Sequence, residues 1–248
     1  KIIRYLLYIS AVLLLLATAC TKERALNNGG GNTGQGGSLA RFTIVGNYLY
    51  TVDGVHLSVF DISNNNTPLY KNKIQVGFGI EAIFPFENKL FIASSTAMYI
   101  YSITNPEAPE FESNVSHLTG CDPIVANDSV AYLTIHGGNR CGSSINQLQV
   151  YNITNIAHPI FKKSINLTNP MGLGMKGNSL FVCDNGTGLR VFDITNKYDP
   201  QVVNIITGET FVDVIPAGNL LICMLTNGVA YYDITDEKNI VKLGSVKN

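Results

Sequence analysis

The chain has 248 residues and a formal net charge of −1; 46% of its residues are hydrophobic, 14% are charged, and tryptophan is absent. No long basic or acidic run occurs, which excludes electrostatic capture of nucleic acid or of a membrane surface. The apolar content suffices for a sizeable core, and the plentiful β-branched, aromatic, Asn and Gly residues fit short strands joined by turns.

The N-terminal stretch differs from the rest. Lys1 and Arg4 precede a nearly unbroken apolar run from Leu6 to Leu16, followed by the small residues Ala17, Thr18 and Ala19. This three-part layout predicts a secretory signal over residues 1–19, because the run is too short to cross a hydrocarbon layer of ~30 Å as a helix. Cys20 comes next, and Ala17-Thr18-Ala19-Cys20 resembles the bacterial lipobox, departing from it at Ala17, where the lipobox prefers Leu. The resemblance implies that Cys20 is the lipidation site and the mature N-terminus; ordinary signal cleavage beside an incidental cysteine is the alternative. Two or three acyl chains anchor firmly, since each buried methylene contributes ~0.8 kcal/mol. Thr21, not Asp, follows the cysteine, which by resemblance to bacterial lipoprotein sorting implies the outer membrane, on its periplasmic or cell-surface face. The remainder of residues 20–38 is Gly- and Asn-rich and reads as a flexible tether.

From residue 39 onward one phrase recurs: Phe60-Asp61-Ile62-Ser63, Tyr101-Ser102-Ile103-Thr104, Tyr151-Asn152-Ile153-Thr154, Phe192-Asp193-Ile194-Thr195 and Tyr232-Asp233-Ile234-Thr235. Self-similarity at about 40–50 residues is the mark of propeller blades. Each copy parses into four strands, in the first unit 40–45, 49–52, 56–62 and 69–76, with a Gly46-Asn47 hairpin turn and an Asn-rich, Pro-ended break after the third strand. No segment has a sustained 3.6-residue apolar period, so helices are expected to be rare. The predicted fold is all-β, a five-bladed β-propeller of four-stranded antiparallel blades over 39–248. Blades stacked radially bury faces that no single sheet could hide.

The pattern Gly46-Asn47, Leu49-Tyr50, Asp53, then Val59-Phe60-Asp61-Ile62-Ser63-Asn64 and Pro68 resembles the LVIVD repeat of extracytoplasmic bacterial and archaeal propellers. The first and fourth units match it best and the fifth worst. The resemblance implies a β-propeller and supplies no catalytic residues.

Several side chains stand out as candidates. The third unit is longer than the others, and its excess, Ile135 to Gln147, holds His136, Arg140 and Cys141; this insertion is expected to face a ligand, with His136 and Arg140 as contacts. Cys121 begins the same unit on the same rim, so a Cys121–Cys141 disulfide is predicted for an oxidising compartment, with free thiols or a metal pair as alternatives. Cys183 and Cys223 are one residue out of phase in neighbouring units and are expected to be unbonded core residues. Arg41, Glu81, Asp122 and Asp213, with Gly172 at the fourth equivalent place, fall at the start of the strands that line a propeller's channel. They are expected to converge at its mouth as solvated polar groups that touch a ligand, with a cation site or a glycosidase-like acid pair as alternatives. Asp61, Asp193 and Asp233 recur in the repeat, which points to a structural task. Phosphate loops, serine elbows and zinc signatures are missing from the sequence, so no cofactor and no metal are expected. The resulting expectation is a monomeric, non-enzymatic binding or scaffold module for a protein or glycan ligand, attached to the membrane through its lipid and not binding nucleic acid. A glycan-active enzyme and an outer-membrane assembly scaffold are the competing expectations.

Overall fold

The structure, a computed structural model, describes residues 33–34, 36–64, 66–116, 123–137 and 145–248. The lipobox with Cys20, the proposed disulfide of Cys121 and Cys141, and the candidates Asp122 and Arg140 lie outside the described residues. Every regular element among the described residues is a strand.

After the short β1 (Thr33–Gly34), blade one comprises β2 (Phe42–Val45), β3 (Tyr48–Val52), β4 (His56–Asp61) and β5 (Leu69–Gln75). Blade two is β6 (Ile80–Phe86), β7 (Lys89–Ser94), β8 (Ala97–Ser102) and β9 (Glu110–Ser116). Blade three is β10 (Ile124–Ala126), β11 (Val130–Ile135), β12 (Gln147–Asn152) and β13 (Ile160–Asn166). Blade four is β14 (Pro170–Lys176), β15 (Ser179–Asp184), β16 (Gly188–Asp193) and β17 (Gln201–Ile206). Blade five is β18 (Phe211–Ala217), β19 (Leu220–Leu225), β20 (Gly228–Asp233) and β21 (Val241–Lys247). Neighbours in sequence pair antiparallel throughout, so each blade is an up-and-down meander. The five-bladed propeller expected from the repeat is therefore present. β1 was not expected: it pairs antiparallel with β2, Thr33 opposite Val45, so the propeller takes in residues that read as the end of the tether.

The repeated phrase closes the third strand of each blade in the same way. The side-chain oxygens of Asp61, Asn152, Asp193 and Asp233 accept the backbone N–H two residues on, at 2.8–2.9 Å. A second such turn follows immediately at Asn64, Asn105, Asn155, Asn196 and Asp236. Short polar side chains that satisfy the backbone locally stop a strand; in blade two Ser102 takes the first place and its hydroxyl accepts the Thr104 N–H at 3.3 Å, so what the repeat requires there is a short polar acceptor. Hydrogen bonds from Ser63 and Thr195 also hold the Asp61 and Asp193 carboxyls below the usual carboxylate range. In every blade the pairing of third and fourth strands then slips by one residue, as between Val191 and Phe192, and such bulges tighten the twist of the outer strand.

Period-two alternation sends one set of side chains to each neighbouring blade. Blades one and two share a buried cluster around Tyr50, Val59, Leu90 and Ile92, and blades two and three one around Phe91, Met98, Leu133 and Tyr151. Tyr132, Leu148, Leu180 and Phe192 join three to four; Phe181, Leu189, Phe211 and Tyr232 join four to five. Cys183 and Cys223 are unbonded and buried, as expected. Being out of phase, however, puts them on facing sides of adjacent blades, within the same cluster. Burial pushes the Cys223 thiol up to about 12 and raises that of Cys183 as well, so neither is a reactive thiolate.

Tyrosines tie blades together at the opposite rim. The hydroxyl of Tyr50 donates to the carbonyl of Pro106, and that of Tyr132 to the carbonyl of Lys197, each at 2.8 Å. Tyr132 is fully buried, so Tyr132→Phe removes one bond and leaves a carbonyl short of its donor. The expected loss is about 1–2 kcal/mol in urea unfolding; an unchanged midpoint would mean that water replaces the bond.

Candidate functional site

The turns between second and third strands, the connections between blades and the starts of the innermost strands share one rim. The described candidates Arg41, Glu81, His136 and Asp213 belong to it, and they are distributed differently from the expected ring of converging acids. Arg41 and Glu81 are together: the guanidinium donates to the Glu81 carboxylate at 2.8 Å, both side chains being partly exposed. Asp213 is instead 6% exposed and engaged with the segment ahead of blade one. Its carboxylate accepts from the Ser38 hydroxyl (3.0 Å), the Leu39 N–H (3.2 Å) and the Val214 N–H (2.9 Å). Ser38, itself 1% exposed, accepts the Leu173 N–H at 2.7 Å.

Residues of the expected tether thus form a latch from blade one to blades four and five. It fits only because two positions lack a side chain: a Cβ on Gly37 would stand 2.1 Å from Asp213 Oδ2, and one on Gly172 2.0 Å from Oδ1. Asp213 is therefore a structural group beneath Ser38, not an open ligand contact. Neither the repeat nor the spacing could have shown this, because the Ser38–Asp213 bond joins residues 175 apart.

Burial is the dominant influence on Asp213 and raises its carboxyl above the usual carboxylate range, partly offset by the three donors. A folded-state value above the unfolded one favours the folded protein below the unfolded value, and that advantage is lost as pH rises through the folded value. Lowering the pH from about 7 to about 4 is therefore expected to shift stability in favour of wild type relative to Asp213→Asn, which cannot titrate. Urea midpoints of the two proteins across that range provide the check, and a constant difference would contradict the assignment.

His136 follows β11 half-buried at the base of the third-blade insertion, where the Gly137 N–H donates to Asn146 Oδ1 at 2.8 Å. No group of three His, Cys, Asp or Glu residues that could hold a metal occurs among the described residues.

An open hollow of about 590 Å³ lies on this rim between blades four and five. Its charged groups are neutralised in place. Glu209 accepts from Lys242 (2.7 Å) and Lys247 (2.9 Å), whose hydrogen bonds hold its carboxyl below the usual range. Beside it Asp184, fully buried, accepts from Arg190 Nε at 2.7 Å and from the N–H groups of Thr168 and Asn169. The cavity also presents the hydroxyls of Thr207, Thr210 and Thr226 and the amides of Asn185 and Asn227, which have no protein partner among the described residues. Sequence reasoning passed over this group, since Thr207-Gly208-Glu209-Thr210 is an ordinary polar connection with no recurring pattern. Its one signal is composition: a Gly- and Thr-rich link facing the similar turn Asn185-Gly186-Thr187 of the same blade.

With this geometry in place, comparison with known proteins bears on the fold. The LVIVD repeat matches residues 36–75 and 170–207, which are blades one and four, the two expected to fit best. Among curated proteins the chain has no match. Among solved structures it is similar to a Lactobacillus plantarum protein, with 14% identity over 80% of this chain and 67% of that one and a TM-score of 0.66. A functionally unknown protein of Desulfotomaculum acetoxidans is similar at 11% identity, 87% and 69% coverage and a TM-score of 0.68. The periplasmic gluconolactonase PpgL of Pseudomonas aeruginosa is similar at 13% identity, 82% and 68% coverage and a TM-score of 0.61. At such identities the likeness is one of fold. The chain spans about two thirds of the length of these proteins.

Proposed function

We propose that this chain, a β-propeller built of LVIVD repeats, is an extracytoplasmic, lipid-anchored binding module without enzymatic activity, and that it takes a glycan on the rim between blades four and five. The observation that carries the reading is the cavity of about 590 Å³ whose free hydroxyl and amide groups surround charges already paired. Hydroxyls and amides both donate and accept, and so match a ligand made of hydroxyls. Paired charges offer little net attraction to an ion. Rigid scaffolds concentrate recognition in such connecting loops. The anchor rests on the lipobox-like Ala17-Thr18-Ala19-Cys20, and the outer membrane on Thr21 after it.

Of the acids that would serve a glycosidase, the two among the described residues are otherwise engaged, Glu81 with Arg41 and Asp213 with Ser38. This supports binding over hydrolysis.

The test uses immobilised bacterial polysaccharide fragments. Wild type is expected to retain some of them, and Thr210→Val with Asn227→Leu to weaken retention at least about tenfold, the effect of losing two hydrogen bonds. Equal retention by the variant, capture of proteins alone, or turnover of a fragment would each overturn the proposal. The anchor is checked separately: Cys20→Ser is expected to abolish incorporation of radiolabelled palmitate and release the protein from membranes.

A further inference from the structure

The propeller has five junctions between blades, and the repeat register shows that four are covered alike while the fifth is not. At the position in the second strand that looks toward the following blade stand Tyr50, Phe91, Tyr132 and Phe181. At the matching position in the third strand stand Leu57, Met98, Leu148 and Leu189. All eight are at most 1% exposed. Their equivalents in blade five, Ile222 and Val229, are only half-buried, and Met224 beside them is 45% exposed. The equivalents of Met224 are Val52, Ala93, Thr134 and Cys183, none above 7%.

The opposite face shows the same break. Leu90, Ala131, Leu180 and Leu221, which look toward the preceding blade, are fully buried. Leu49, their counterpart in blade one, is half-buried, and Phe42 on the same face is 58% exposed. No buried cluster among the described residues joins blade five to blade one. Near the axis the two are linked by the polar latch of Ser38 and Leu39 on Asp213.

We propose that the free face of blade five receives the first blade of a second copy of this chain, head to tail, as blades one to four receive their successors within the chain. Three observations carry the assignment. The free face continues an interface already made four times, and the repeat dictates what fits it: a face with apolar side chains at the positions of Phe42, Leu49 and Phe60. Blade one presents the chain's other uncovered face of that kind.

The shapes correspond as well. A hollow of about 140 Å³ lined by Asp213, Ile215, Ile222, Met224 and Val229 opens on blade five, and Phe42 is an exposed aromatic side chain suited to fill it. Further, the similar solved chains are somewhat longer, 80–87% of this chain covering only 67–69% of them, so their version of the fold has room for more chain than the five blades seen here. Because the joined patches differ, the contact is heterologous and runs on from copy to copy unless its rotation closes. Self-association of this kind goes beyond the glycan-binding reading and replaces the monomer expected from the sequence.

Light scattering of the full chain during size exclusion tests this. Wild type is expected to elute with the mass of two or more chains and to fall toward one on dilution. Met224→Glu and Phe42→Glu, both at exposed positions, are each expected to elute as single chains with unchanged circular dichroism. Mixed together they are expected to recover a two-chain species, since each retains the face that the other lacks. Wild type monomeric at every concentration would overturn the proposal. So would a mixture that fails to associate, or association lost with Met224→Glu and kept with Phe42→Glu, which would mean that two fifth blades meet face to face.

Discussion

Gly188→Ala is expected to lower the stability of the propeller by about 3 kcal/mol or more. Gly188 opens β16 with a φ of 129°, a conformation that L side chains rarely adopt, and a Cβ there would lie 2.2 Å from the carbonyl oxygen of Ile206. The obstructing atom is backbone of the paired strand β17, so relief requires separating the two outer strands of blade four. Gly177 provides the control within the same blade. Its φ is also positive, at 54°, but a Cβ there meets nothing within 4 Å, so Gly177→Ala should cost only the conformational part, about 1–2 kcal/mol. Gly228 repeats the arrangement of Gly188 in blade five, with a φ of 147° and a Cβ 2.0 Å from the carbonyl oxygen of Val246. Urea unfolding that ranked Gly177→Ala equal to Gly188→Ala would refute the pairing of β16 with β17.

Gly172→Ala is the second large effect, expected at about 2–4 kcal/mol through overpacking at a buried junction. The added methyl would stand 2.0 Å from Asp213 Oδ1 and 2.8 Å from its Cα. Blades four and five must therefore part, or the carboxylate must swing away from Ser38 and Leu39. The mechanism predicts strong coupling. Asp213→Ala by itself leaves the Ser38 hydroxyl and two N–H groups without their acceptor and is costly. In that background, however, Gly172→Ala should cost less, because the carboxylate it strikes first is gone and only the contact with the Cα remains. A double-mutant cycle measures this directly, and additive losses would mean that the two residues are not in contact.

The blades were legible because each is specified locally. The hairpin turn at Gly46-Asn47, the alternation in Leu57 and Val59, and the strand-ending Asp61 all act within a few residues. The same signals recur in every unit, so errors in one copy are corrected by the others. Alternation also accounts for the core, since it puts Tyr132 and Leu180 on opposite faces of their strands, each against a different neighbouring blade. The site was less legible. Arg41 and Glu81 sit 40 residues apart at matching repeat positions, and their pairing follows from adjacency of blades one and two. Asp213 shares that repeat position yet has a different fate, because a segment outside the repeat reaches it. The cavity beside Glu209 went unseen for a related reason: Lys242 and Lys247 lie 33 and 38 residues away, on an outer strand whose residues look like solvated surface.

By itself, then, the sequence determined how many sheets there are and, in the first unit, where the four strands fall to within two residues, since period-two geometry and turn chemistry are properties of short segments. Only the tertiary structure decided that Ser38 is a buried latch residue and not tether, that Cys183 and Cys223 meet in one cluster, and that blade five keeps an apolar face uncovered. Those outcomes depend on where distant segments come to rest around the axis, and a repeat, being the same in every unit, carries no record of which unit lacks a neighbour.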